Sequence, residues 1–200
     1  MARSTKASSD KSKPSKVYQL KVTIDEIRPS IWRRIQVKSD ISLFKLHKIL
    51  QVVMGWYDCH LHQFLIGDET YSVIYREADM LGDDFIDEKK IKLNRVIPGE
   101  GFEFVYNYDF GDNWDHRIMV EKSFSPDEEL AHPICLNGKR SAPPEDCGGV
   151  EGYYNLLDAL GDPEHPEHEN LKSWASWTGD EYDPEYFNVD EVNERLKKIR

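Results

Sequence analysis

The strongest constraint on the fold is a pair of alternating apolar and polar segments, residues 17–24 and 31–37, separated by the turn sequence Arg28-Pro29-Ser30. Alternation with period two is typical of β-strands, in which every second side chain faces the core. Two such strands around a turn predict a hairpin. In this register Arg33 shares a face with apolar neighbours, whereas Trp32 and Arg34 lie on the opposite face.

The remaining periodicity predicts one early helix, further strands and a group of helices at the end. Residues 43–54 have the spacing of an amphipathic helix, with Ser42 as its N-cap and Gly55 as its stop. Strand patterns follow at 60–66, 70–75, 90–96, 102–108 and 115–124. Helical patterns follow at 153–160, 168–176 and 189–199. We therefore predict an α+β fold with a mostly antiparallel or mixed β-sheet.

Length and charge limit the classes of protein to which the chain can belong. Its 200 residues suit one domain, which we place at residues 16–200 behind a disordered basic tail at 1–15. The net charge of -11 disfavours binding to a phosphate backbone, so nucleic acid is expected only through the tail. Because apolar runs are short and the three cysteines form no CxxC pair, we expect a cytoplasmic protein without membrane contact.

Two short polar segments, residues 106–116 and 143–149, hold most of the chemically active side chains. Asp109 and Asp112 flank Gly111, whose conformational freedom allows their carboxylates to converge, and His116 follows closely. Carboxylates with an imidazole suit a divalent cation or an acid–base pair. The alternative is an ordinary turn in which the aspartates accept hydrogen bonds from backbone amides.

The second segment places Glu145, Asp146 and Cys147 after two prolines that stiffen the chain. Cys147 has three open interpretations: a nucleophile with His116 or His132 as its base, a zinc ligand, or a small buried apolar group. Strand parity turns both His62 and His116 towards the core. They could meet there, or each could be a hydrogen-bonded core histidine.

Several motifs together resemble the plasmid pRiA4b ORF-3-like family, in order from about residue 18 to the last helix. The motifs are Ile31-Trp32-Arg33-Arg34-Ile35, Leu46-His47, Met54-Gly55-Trp56, His60-Leu61-His62-Gln63-Phe64, Tyr108-Asp109-Phe110-Gly111-Asp112 and Pro143-Pro144-Glu145-Asp146-Cys147-Gly148-Gly149. The resemblance implies an α+β domain found in prokaryotes, sometimes on mobile elements. Some relatives are labelled transposon resolvases, but this chain has no recognisable serine motif among clustered arginines, so that role rests on analogy.

These observations predict one polar cleft between the two segments. Its expected binding residues are His62, Asp109, Asp112, Trp114, His116, Arg140, Glu145, Asp146 and Cys147. Three of them, Asp112, His116 and Cys147, are the candidate ligands of a zinc or manganese ion. Three functions stay open: a binding module for a small molecule or a basic protein, a metal-assisted hydrolase with Glu145 as base, and an accessory factor in DNA transactions. The last would use the basic tail together with residues 32–34, the best local basic patch of the folded body.

Overall fold

The computed structural model describes residues 15–74, 85–127, 130–176 and 181–199. Its elements, in chain order, are β1 (Val17–Ile24), β2 (Trp32–Lys38), α1 (Leu43–Met54), β3 (His62–Ile66), β4 (Glu69–Ser72), β5 (Phe85–Asp87), α2 (Leu93–Val96), β6 (Glu103–Tyr108), β7 (Trp114–Phe124), β8 (Ile134–Lys139), α3 (Gly149–Gly161), α4 (His168–Ala175) and α5 (Val189–Leu196). Apart from residue 15, the basic tail expected at 1–15 lies outside the described ranges.

The strands form one eight-stranded sheet in the order β5-β4-β3-β6-β7-β1-β2-β8. All neighbouring strands are antiparallel except β4 and β5, which are parallel. The predicted α+β class, with a mostly antiparallel mixed sheet, one early helix and a C-terminal group of helices, is therefore confirmed. No helix within the described ranges is both long and apolar enough to cross a bilayer.

The first hairpin and the first helix form as the sequence pattern predicts. β1 pairs with β2, and the side chains that alternation turns inward, including Arg33, are buried. At the start of α1, Ser42 Oγ accepts a hydrogen bond from the Lys45 amide at 3.1 Å. At its end, Gly55 adopts the left-handed conformation (φ 85°) that a residue with a side chain resists. Apolar residues of α1 and the sheet share one core.

Two local assignments from the sequence are wrong. Residues 90–96 were expected to form a strand, but they contain a turn and the short helix α2. Ile91, Leu93 and Val96 fit either period, because so short a run cannot separate a repeat of two from one of 3.6. The sequence patterns place no strand between residues 124 and 153, but the edge strand β8 lies there.

The edge strand β8 is bound by the side chain of one residue in α5. Asn193 Oδ1 accepts a hydrogen bond from the Cys135 amide at 2.8 Å, and Asn193 Nδ2 donates to the Cys135 carbonyl at 3.0 Å. The amide side chain thus pairs with β8 much as another strand would. Exposed edges favour aggregation, and this pairing covers part of one.

Candidate metal centre

The loop of residues 55–61, here called the site loop, joins α1 to β3 and is fixed to α1 by hydrogen bonds. The carbonyl oxygen of Gln51 accepts from the Trp56 amide at 3.0 Å, and Gln51 Oε1 accepts from the Asp58 amide at 2.9 Å. His47 Nε2 lies 2.7 Å from Asp58 Oδ1, and Lys48 pairs with the other oxygen of the same carboxylate. The site loop therefore has little freedom on its helical side.

A second set of hydrogen bonds fixes the site loop to residues 143–149, here called the polar loop. Glu145 Oε1 accepts from the Tyr57 amide at 2.9 Å and from the Tyr108 hydroxyl at 3.0 Å. That hydroxyl accepts in turn from the Cys59 amide at 3.2 Å. Tyr108, at the end of β6, thereby joins the two loops.

His60 lies at the centre of this arrangement, with three carboxylates around one of its nitrogens. His60 Nε2 is 3.2 Å from Asp146 Oδ1, 3.6 Å from Asp109 Oδ2 and 3.8 Å from Glu145 Oε2. The nitrogen is buried and has no hydrogen-bond partner among the described residues. Most buried polar atoms have such a partner, so an unpaired one requires a physical explanation.

Two of the three carboxylates are anchored through one oxygen and present the other to His60. Asp109 Oδ1 accepts from the Gly111 amide at 2.9 Å, leaving Oδ2 towards the imidazole. Glu145 is anchored chiefly through Oε1 and presents Oε2. Asp109 and Asp146 both have positive φ angles, 58° and 59°. Backbone strain of this kind occurs most often at functional sites.

The distances around His60 suit the ligands of one ion. Two ligand atoms that each lie about 2.1 Å from an ion are about 3.0 to 3.4 Å apart. Small side-chain rotations would bring the atoms around His60 into that range. Candidate ligand atoms lie within 4.8 Å of one another in two overlapping groups: Cys59, His60 and Glu145, and His60, Asp109 and Asp146. Both groups contain His60, so one imidazole is shared by two candidate ligand sets.

The structure brings the two polar segments together, as expected from the sequence. The Gly148 amide donates to Asp112 Oδ2 at 3.0 Å. A Cβ added at Gly149 would lie 2.7 Å from the Asp112 carbonyl oxygen, so the segments are in close backbone contact. Of the predicted binding residues, Asp109, Glu145 and Asp146 converge on His60, and Asp112 supports the junction between the segments.

The predicted ligand set Asp112, His116 and Cys147 is not brought together within the described ranges. His116 is fully buried, and its Nδ1 donates to the Trp114 carbonyl at 2.9 Å. Burial lowers the pKa of His116 to about 4, so the ring is neutral at pH 7. Trp114 is itself a core side chain. These two residues therefore lie beneath the centre, in the core.

Cys147 lies beside the centre, in surroundings that oppose an activated thiol. Burial, followed by the charge of Asp112, raises the pKa of Cys147 to about 12. A nucleophilic cysteine requires the opposite shift, towards thiolate at neutral pH. The interpretation of Cys147 as a small, partly buried group agrees best with this geometry.

His62 belongs to a second cluster, in which it stacks on His47. The two ring centroids are 3.5 Å apart and the planes differ by 2°. His62 Nε2 is 3.0 Å from Glu88 Oε1, and Glu88 is fully buried. The nitrogen lone pairs of parallel stacked rings lie in separate planes, so they cannot both point at one ion. We therefore interpret this cluster as two carboxylate–imidazole pairs, with Asp58 as the partner of His47.

The hydrogen bonds around His47 show which of its two ring nitrogens carries the proton. Gln51 Nε2 donates to the Tyr106 hydroxyl at 3.0 Å, and this hydroxyl lies 2.8 Å from His47 Nδ1. The buried hydroxyl therefore donates to Nδ1, which leaves the imidazole proton on Nε2, facing Asp58. Burial, followed by the proximity of His62, lowers the pKa of His47 to about 3. His47 is thus a neutral support for the site loop.

Of the two alternatives for His62 and His116, the structure agrees with two separate hydrogen-bonded core histidines. The Tyr106 ring lies between them, with centroid distances of 5.8 Å to His62 and 5.3 Å to His116. Because β6 runs between β3 and β7 in the sheet, one residue of β6 separates the two imidazoles.

Arg140 and the arginines of the first hairpin have partners away from the centre. Arg140 Nε donates to Glu185 at 2.6 Å, and Nη1 donates to the Pro29 carbonyl at 2.7 Å. Arg33 is buried and donates to backbone carbonyls, while Arg34 binds Glu121 through two hydrogen bonds of 2.6 and 2.7 Å. Contact of residues 32–34 with DNA stays a prediction.

A cleft of about 340 Å³ opens beside the site loop. Its lining consists of Phe44, His47, Lys48, Asp58, Cys59, His60, Leu61, His62, Val73 and Lys89. Three residues of this arrangement, Cys59, His60 and Tyr108, are not among the binding residues predicted from the sequence. The run Asp58-Cys59-His60, three successive ligand types directly after a helix stop, is the signal that would have identified the site loop.

A family model, a curated protein and a solved structure all match this chain over most of its length. Residues 16–191 match the family described as plasmid pRiA4b ORF-3-like protein. Uncharacterized protein y4hQ of Sinorhizobium fredii (strain NBRC 101917 / NGR234) is 35% identical over 184 residues, covering 92% of each chain. The crystal structure of MM3350, a protein of unknown function from Methanosarcina mazei Go1, has a TM-score of 0.76 and 41% identity, covering 90% of this chain and 98% of that one.

Proposed function

The chain belongs to the plasmid pRiA4b ORF-3-like family, and we propose that it is a ligand-binding module that holds a divalent cation at His60, beside the cleft of the site loop. The observation that carries this proposal is the position of His60 Nε2, a buried nitrogen without a hydrogen bond and within 4 Å of three carboxylates. An imidazole nitrogen and carboxylate oxygens are standard ligands for divalent metals.

Electrostatics support an ion at this position. Asp109, Glu145 and Asp146 each have an oxygen within 4 Å of His60 Nε2, and neighbouring carboxylates repel one another. Asp109 and Glu145 are also buried, so water screens their charges poorly. A divalent cation between them would offset both the repulsion and the loss of solvation.

The surroundings of the ligands support the same proposal. Metal ligands are usually oriented by a further layer of hydrogen bonds. Here Tyr108 and the Tyr57 amide orient Glu145, the Gly111 amide orients Asp109, and α1 fixes the site loop that carries His60. Such an arrangement is ready to receive an ion without reorganisation of the backbone.

Titration of the chelator-treated protein with Zn²⁺ and Mn²⁺ by calorimetry tests the proposal. We expect one ion per chain, with binding lost in His60→Ala and weakened at least 10-fold in Asp109→Asn. The matched controls are His132→Ala and Asp68→Asn, which change a half-buried histidine and an exposed turn carboxylate elsewhere. Absence of saturable binding by the wild type, or equal binding by His60→Ala, would overturn the proposal.

A metal-assisted hydrolase is the second candidate, favoured by the cleft that reaches both Cys59 and His60. Catalytic metals keep a coordination position open for water, and the ion lowers the pKa of that water. In this arrangement Glu145 acts as a ligand, because Oε2 faces His60.

Hydrolysis can be assayed with p-nitrophenyl acetate and p-nitrophenyl phosphate. A rate that requires the ion and disappears in His60→Ala would support the enzyme. Equal rates for the metal-loaded wild type and His60→Ala would exclude it for these substrates and leave the binding module.

A further inference from the structure

We infer that the Cys59 thiolate is a direct ligand of the cation and that the centre is therefore a zinc site. This inference rests on the proposed cation site, and it adds a ligand and a metal preference that the carboxylates alone do not supply.

The position of Cys59 next to His60 carries the inference. The ligand atoms of Cys59, His60 and Glu145 all lie within 4.8 Å of one another. The Cys59 amide is held by the Tyr108 hydroxyl, so the thiol is attached to a fixed point of the backbone. Sγ therefore already lies beside the ligand atoms of His60 and Glu145.

The other two cysteines have structural surroundings that Cys59 lacks. Cys135 is buried within β8, and Cys147 is partly buried within the polar loop, whereas Cys59 is exposed. All three are free thiols. Packing accounts for a small apolar group at Cys135 and Cys147. Packing does not account for an exposed cysteine on a rigid loop beside a histidine and an acidic cluster.

Ligand chemistry then selects the metal. Thiolate and imidazole favour zinc, whereas all-oxygen sites favour magnesium, calcium or manganese. Cys59, His60 and one or two carboxylates give the mixed sulfur, nitrogen and oxygen set of a tetrahedral zinc site. On binding, the Cys59 thiol releases its proton to solvent as the sulfur–zinc bond forms. Where only one carboxylate binds the ion, a second can hold a water molecule at the fourth position.

Cobalt substitution tests the role of the thiol directly. Co²⁺ replaces zinc in such sites, and a thiolate ligand gives a sulfur-to-cobalt charge-transfer band in the near ultraviolet. We expect this band in the Co²⁺-loaded wild type and in the control Cys147→Ser. We expect it to be lost in Cys59→Ser, with Zn²⁺ affinity reduced at least 10-fold and Mn²⁺ affinity changed by less than 3-fold.

The outcomes separate this inference from the cation site itself. Cobalt binding without a charge-transfer band, or a band that persists in Cys59→Ser, would overturn the thiolate ligand and leave the cation site intact. Equal loss of Zn²⁺ and Mn²⁺ affinity in a folded Cys59→Ser variant would also overturn the metal preference. Absence of any metal binding by the wild type would instead remove the proposed function.

Discussion

The Tyr108 hydroxyl donates a hydrogen bond to Glu145, with 3.0 Å between the hydroxyl oxygen and Oε1. Burial, followed by the neighbouring Glu145 charge, raises the pKa of Tyr108 well above its usual value, so the hydroxyl keeps its proton. This one contact connects a strand of the sheet to the polar loop, and through the Cys59 amide it also reaches the site loop.

Removal of this hydroxyl should weaken cation binding without removing a ligand. For Tyr108→Phe we expect a 10- to 100-fold loss of affinity by calorimetric titration, the range typical of groups that orient metal ligands. Tyr154→Phe is the matched control, because its hydroxyl binds the backbone at residues 26 and 28 instead. Equal affinities in the two variants would contradict a supporting role for Tyr108.

The lowered pKa of the buried His116 should make the free energy of unfolding depend on pH. Its pKa is about 4 in the folded protein and about 6.5 when unfolded, so the unfolded state binds more protons between these values. Stability should therefore fall as pH decreases from 6.5 to 4, by about 3 kcal/mol from this residue. Denaturant unfolding at several pH values measures the effect.

His116→Gln should flatten this dependence, while His132→Gln should retain it. Part of the slope should remain in His116→Gln, because the pKa of His47 is also lowered by burial, to about 3. If His116→Gln and the wild type gave the same slope, the assignment of a buried neutral His116 would be wrong.

The contact between the two polar segments can be tested with a pair of glycines. Gly67 and Gly149 have similar positive φ angles, 62° and 69°. An added Cβ meets nothing within 4 Å at Gly67, but at Gly149 it lies 2.7 Å from the Asp112 carbonyl oxygen. Gly67→Ala should cost about 1 to 2 kcal/mol from backbone strain alone. Gly149→Ala should cost about 1 to 3 kcal/mol more, measured by urea unfolding.

Asn193 offers a test of the edge of the sheet. Asn193→Ala removes both hydrogen bonds to the Cys135 backbone and should cost about 1 to 3 kcal/mol of unfolding free energy. Glu194→Gln, on the exposed neighbouring position, should change it by less than about 0.5 kcal/mol. Light scattering should also detect more aggregation in Asn193→Ala, since an edge strand loses its cover. No difference between the variants would contradict this role.

Local sequence patterns were sufficient to predict most strands of the sheet and helix α1. Alternation placed Arg33, His62 and His116 on the buried face because side-chain direction in a strand depends only on parity. The same rule did not predict β8, because proline and glycine residues around this short strand obscure its alternation of apolar and polar side chains. At residues 90–96 the run was too short to distinguish a strand from a helix.

The site was predicted only in part, because its assembly depends on contacts between distant residues. The sequence identified Asp109, Glu145 and Asp146 and the junction of their segments. It favoured His116 as the imidazole ligand of the ion, since that residue is close to Asp112 along the chain. The structure instead places His60 at the centre, because the order β3-β6-β7 brings the site loop beside the end of β6. Strand order of this kind is not encoded in local periodicity.

The ligand atoms around His60 come from the site loop, from the end of β6 and from the polar loop. An unfolded chain would therefore hold these groups far apart and bind the ion weakly. Each ion bound would shift the equilibrium towards the folded chain, by about 2.7 kcal/mol at a free concentration one hundred times the dissociation constant. Chelators would then lower the melting temperature of the whole domain, including strands far from the cleft.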